Sequence, residues 1–198
     1  MTDAEVREDI AFIRRTIEDG RAYATTRSAD MVVWGVAVAI GYLGTYAFVR
    51  RWSPLSPDWL WLACILLPWA YSLRRLAFRR QVAVAVRPMA RAMQMLWLGC
   101  GITLTTLGIA TAFAGDLPHG WFSAVSAGVL GIGFFASAWL CNLAWFRWVA
   151  LGWWLGELAL FGLRGQIELL PVGAVLTLVL LMLPGIVLWR SRAAAGGQ

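Results

Sequence analysis

The sequence predicts an all-α integral membrane protein: six transmembrane helices forming three antiparallel hairpins, preceded by a cytoplasmic amphipathic helix. Three observations carry that expectation. Hydrophobic residues make up 60% of the 198 residues and charged residues only 14%, where a soluble domain has about 25% charged. Six apolar runs fall at 31–49, 57–73, 94–114, 121–142, 148–163 and 169–189, most of them near the ~20 residues a spanning helix needs. The arginines are segregated between those runs, and short arginine-rich loops stay on the cytoplasmic side of a bacterial membrane.

Residues 1–30 form a charged N-terminal segment in which 3–19 read as the amphipathic helix. Val6, Ile10, Ile13 and Ile17 recur at helical spacing as one apolar stripe. Thr2 with Glu5 makes a capping box, and Gly20 supplies the stop. Its acids (Asp3, Glu5, Glu8, Asp9, Glu18 and Asp19) outnumber Arg7, Arg14 and Arg15. Anionic lipid favours basic helices, so this stripe is expected to pack on protein. No cleavable signal peptide is expected, since the first apolar run begins only at Met31.

The domain at 31–189 then alternates short turns of two kinds. Trp52–Pro57, Gly115–Pro118 and Arg164–Gln166 are tight and rich in breakers, with only Arg50, Arg51 and Arg164 nearby. The opposite connections carry the charge. The stretch at 72–93 holds Arg74, Arg75, Arg79, Arg80, Arg87 and Arg91 without one acid. Arg147 follows in the next connection, and Arg190 and Arg192 in the tail at 190–198. Fourteen arginines thus face one side and three the other, which predicts an inner-membrane protein with both termini cytoplasmic. Tryptophans agree with that topology: all but Trp153 and Trp154 fall near a predicted interface, where indoles prefer to sit.

Small residues mark the helix contacts, because helices in lipid associate through close approach. Ala37, Gly41 and Thr45 line the first run; Gly101, Thr105, Gly108 and Ala112 the third. Ser123, Ala127 and Gly131 line the fourth, and Gly152 and Gly156 the fifth. Pro184 is expected to kink the last span, with neighbouring groups replacing its lost hydrogen bond.

Chemistry-bearing residues are sparse. Cys64, Cys100 and Cys141 are odd in number and lie in apolar runs, so neither a disulfide framework nor a zinc site is expected. His119 is the one histidine; with Asp116 and Ser123 nearby it makes a weak dyad at best. No catalytic, cofactor or metal site is expected, and the protein reads as not an enzyme. Glu157 stands apart. It lies nine residues past Trp148, about 13 Å into the membrane at 1.5 Å per residue, where an ionisable group is a functional hypothesis by default. Trp153 and Trp154 precede it by four and three positions, so charge and cation–π attraction together suit a hydrophobic cation. The alternative is a neutral Glu157 hydrogen-bonded to Thr103, Thr105 or a carbonyl.

The charged helix with Asp9–Arg15 (DIAFIRR) and six short spans resembles small bacterial inner-membrane proteins, a likeness that implies no activity. Size and span count also look like the substrate-binding subunits of energy-coupling-factor importers. That resemblance implies partner docking through small residues of the first span, here Ala37 and Gly41.

Two functions follow as expectations. The first is a non-enzymatic protein acting through self-association or as an accessory or regulatory subunit of a membrane complex, docking through the apolar stripe and the arginine loop. Anionic phospholipids are candidate partners of that loop, and nucleic acid is not. The second is a small proton-coupled transporter or binding subunit using Glu157.

Overall fold

The computed structural model describes residues 6–8, 10–11, 24–80, 88–114 and 120–195. These residues are helical or in the turns between helices, with no strand among them. Ordered along the chain are α1 (Ser28–Val49), α2 (Pro57–Arg80), α3 (Pro88–Ala114), α4 (Trp121–Leu140), α5 (Phe146–Gly162) and α6 (Leu169–Thr177). A π-helical turn at Leu178–Met182 then leads into α7 (Leu183–Ala195). Four rods are long and apolar enough to cross a membrane: α1, α3, α4 and the composite rod from α6 through α7. The protein is therefore a helical one of membrane type. The other two helices fall short for different reasons. At 17 residues α5 is short, whereas α2 mixes Pro57, Asp58, Pro68 and several tryptophans into its apolar run.

Proline and glycine set several boundaries. Pro57 and Pro88 stand at the first positions of α2 and α3, where a missing N–H costs nothing and φ is already helical. Gly120 precedes α4 with φ 102°, a left-handed conformation that side-chain-bearing residues rarely adopt. The helices also outrun the apolar segments at the arginine-bearing end. Arg74, Arg75, Arg79 and Arg80 belong to the last turns of α2, and Arg91 to the first turn of α3.

The core lies between α1, α4, α5 and the composite last rod, around Phe134, Phe146, Trp153, Leu160 and Leu181. Its helices approach over glycine. A Cβ on Gly35 would sit 2.9 Å from Met182, and one on Gly173 would sit 2.8 Å from the Tyr42 ring. Gly152 and Gly156 of α5 receive Leu180 and Leu176, each at 2.9 Å from such a Cβ. Glycine is weak helix material in water, but in lipid the contact it permits is what joins the rods. By contrast α3 stands at the margin: 6% of its apolar window is buried, against 39% for α4.

Candidate functional site

Two polar constellations and one recurrent joint emerge from this packing. The joint is built from a tryptophan on one helix and a glycine with a hydroxyl four residues later on its neighbour. Trp61 of α2 lies against Gly41 and donates its Nε1–H to Thr45 Oγ1 at 3.0 Å. Trp69 of α2 lies against Gly101 and donates to Thr105 Oγ1 at 3.0 Å. Trp97 of α3 lies against Gly133 and donates to Ser137 Oγ at 3.1 Å. The spacing of four puts glycine and hydroxyl on one face. The missing Cβ admits the indole, and the hydroxyl removes the cost of an unpaired N–H in an apolar bundle. Thr45 and Ser137 pass their own protons to Gly41 O and Gly133 O, both at 2.7 Å.

This finding alters the reading of the tryptophans. Trp52, Trp59, Trp121, Trp139, Trp148 and Trp189 are exposed, as interfacial rings are. Trp34, Trp61, Trp69, Trp97 and Trp153 instead bond across helix pairs. Gly41, the docking residue implied by the importer resemblance, is covered by Trp61 of the same chain.

The first polar constellation gathers at the arginine-bearing end of α1 and α2. Asp30 is 8% exposed and pairs with Arg27 Nη1 at 3.1 Å and Arg75 Nη1 at 3.5 Å. Ser72 Oγ donates to Asp30 Oδ1 at 3.5 Å, while Trp34 Nε1–H donates to Ser72 at 3.3 Å. Arg75 Nη2 donates to Thr26 O at 2.7 Å; among the described residues its buried Nη1 makes no hydrogen bond, and it lies 3.5 Å from Asp30 Oδ2. Sequence reasoning missed Asp30, which reads as the last charge before the apolar run at Met31. The local signal was Arg27 three residues before it; its partner 45 positions later leaves no trace in the pattern.

The second constellation is Glu157. Its half-buried carboxylate lies on Gly128 of α4, where a Cβ would meet both oxygens at 2.8 Å. Among the described residues it has no hydrogen-bond partner, and Thr105 is taken by Trp69. The two preceding tryptophans diverge. Trp154 turns to α4, against Gly131 and with Phe135 at 5.5 Å between centroids. Trp153 is buried and turns to the last rod, donating to Leu180 O at 3.1 Å. A proton carrier is within the chemistry of such a carboxylate. No group of three metal-ligating side chains occurs among the described residues.

The remaining candidate residues are placed as follows. Arg74 and Arg91 are exposed. Val6 and Ile10 are helical, with 36% and 53% exposure. Ile13, Ile17, Arg87, Asp116 and His119 lie outside the described residues. Ser123 is described and faces the Tyr42 hydroxyl. No known protein family, characterised protein or solved structure matches this chain.

Proposed function

We propose that this chain is a non-enzymatic bacterial inner-membrane protein that works through self-association, with α3 as the face that meets a second copy. One observation carries the reading. Gly35, Gly41, Gly131, Gly152, Gly156 and Gly173 each seat a large side chain of the same chain, but among the described residues Gly99 of α3 has nothing within 4 Å of where its Cβ would be. Around it Met95, Ile102, Thr103 and Thr106 are exposed as well. A bare helix face bearing a glycine is what a second helix can approach closely in lipid. Proteoliposomes containing donor- and acceptor-labelled copies test this. Energy transfer should persist on dilution with lipid for the native chain and drop at least fivefold for Gly99→Leu. Transfer that matches random mixing for the native chain sinks the proposal.

The same proposal includes six spans with both termini cytoplasmic. Contacts support antiparallel neighbours: Trp34 meets Ser72 where Thr45 meets Trp61, and Gly128 meets Glu157 where Trp121 meets Phe161. Gly35 meets Met182 where Tyr42 meets Gly173, which brings the first and last rods together. The arginine asymmetry supplies the orientation.

A second reading rests on the carboxylate of Glu157, which has no hydrogen-bond partner among the described residues: a small proton-coupled transporter or binding subunit for a hydrophobic cation. Binding of tetraphenylphosphonium by the native chain, lost in Glu157→Gln at unchanged folding, is its expected result. No binding by the native chain between mildly acidic and mildly basic pH removes it.

A further inference from the structure

The last rod is one continuous apolar run in sequence, yet it is interrupted in the middle. Five residues, Leu178–Met182, wind as a π-helix, and the Leu183 N–H reaches back five positions to Leu178 O. Such turns insert one residue into the hydrogen-bond ladder and are common at functional sites. Pro184 follows directly. It has no N–H for Leu180 O, the carbonyl one α-turn before it, and a bare carbonyl in an apolar bundle is costly.

The missing donor comes from another helix. Trp153 Nε1–H of α5 reaches Leu180 O at 3.1 Å, from a ring that is 2% exposed. Gly152, next to it, gives the room: a Cβ there would sit 2.9 Å from the Leu180 side chain. On the far side of the break, α7 is pressed onto the start of α1. A Cβ on Gly185 would meet Ser28 O at 2.8 Å and Val32 Cγ2 at 2.9 Å. Two residues past Ser28 is Asp30, the centre of the charge cluster.

We propose that Leu178–Pro184 is a hinge held by the Trp153 indole, and that its release moves α7 against the Asp30–Arg75 cluster. A helix with a regular ladder holds its direction without outside help. This one has a register shift and a proline within one turn, and the indole of α5 satisfies the carbonyl that the proline leaves bare. The device joins α5, which carries Glu157 one turn beyond Trp153, to the arginine-bearing end of the molecule. It holds whether α3 pairs with a second copy or not.

Spin labels at Val175 of α6 and Ser191 of α7, both exposed, report the bend. They are 16 residues apart, about 24 Å along a straight rod. With Cys64, Cys100 and Cys141 replaced by alanine, the doubly labelled chain in nanodiscs should give a single narrow distance. Trp153→Phe keeps most of the ring volume and removes the N–H, and the distribution should broaden or gain a shorter population. Adding Pro184→Ala restores an N–H to Leu180, and the distribution should narrow again. A Trp153→Phe distribution equal to the native one overturns the hinge, as does a double variant as broad as Trp153→Phe alone. Should Trp153→Phe not fold, the same reasoning requires Pro184→Ala to restore folding; a double variant that also fails to fold overturns it equally.

Discussion

Trp97 shows how much of this protein is settled by single atoms. Its ring lies on Gly133 and in edge contact with Phe134 at 5.3 Å, and its N–H goes to Ser137. A cycle of Trp97→Phe and Ser137→Ala should give a coupling energy of about 0.6 kcal/mol, and no more than ~1.7 kcal/mol, the range for such bonds in membranes. In the double variant the two losses should not add, because they remove one bond. Unfolding in mixed micelles of rising denaturing detergent measures all four corners of that cycle. Asp30 has more at stake. Asp30→Asn leaves the buried Nη1 of Arg75 facing a neutral amide. The loss should be about 1–3 kcal/mol, and Arg75→Met added to Asp30→Leu should recover part of it, since an apolar pair has no unpaired charge.

At the level of the helix, α3 and α4 make a controlled comparison. Each carries glycines, but among the described residues nothing lies against Gly99, whereas Gly131 is filled by the Trp154 indole. In the monomer Gly99→Ala should be neutral or stabilising by up to ~1 kcal/mol, because glycine is the poorer helix former. Gly131→Ala should cost about 1–3 kcal/mol, as overpacking does. The same detergent titration, at a dilution that keeps the chain monomeric, distinguishes them, and equal effects there would mean that another part of the same chain covers α3. The helix ends carry a second lesson. The stretch at 72–93 reads as a loop because its charge is dense, yet α2 runs to Arg80 and α3 starts at Pro88. Arginine is a good helix former, and nothing before Pro88 forces α2 to stop at the membrane boundary.

For the whole molecule the expectations concern sidedness and access. Reporter domains fused after Gln198 or inserted near Arg80 should behave as cytoplasmic, and one near Pro118 as periplasmic; an inverted pattern would show that the arginine count misleads. Cys64 and Cys141 are buried free thiols. Both should resist maleimide in the folded chain and react after denaturation, with no disulfide to reduce first. Rapid labelling of Cys141 in mild detergent would mean that the connection between α4 and α5 opens, since that thiol has no exposed surface.

The all-helical, membrane-type class and the segregation of the arginines are legible in the chain, because each follows from composition or local spacing: charges avoid hydrocarbon, and a helix satisfies its own backbone. Glu157 was legible too, as one charge in an apolar run. What contacts it was not. Nothing local separates Trp97, which bonds across helices, from Trp148, which is exposed; both are tryptophans near a predicted interface. Asp30 and Arg75 are 45 residues apart, and only the approach of α1 to α2 makes them a pair. The divergence of Trp153 from Trp154 likewise depends on two different neighbours of α5. Local periodicity assigns a residue to a depth and a helix face, but the identity of the group opposite comes from how the rods are packed, and the tertiary structure alone decides that.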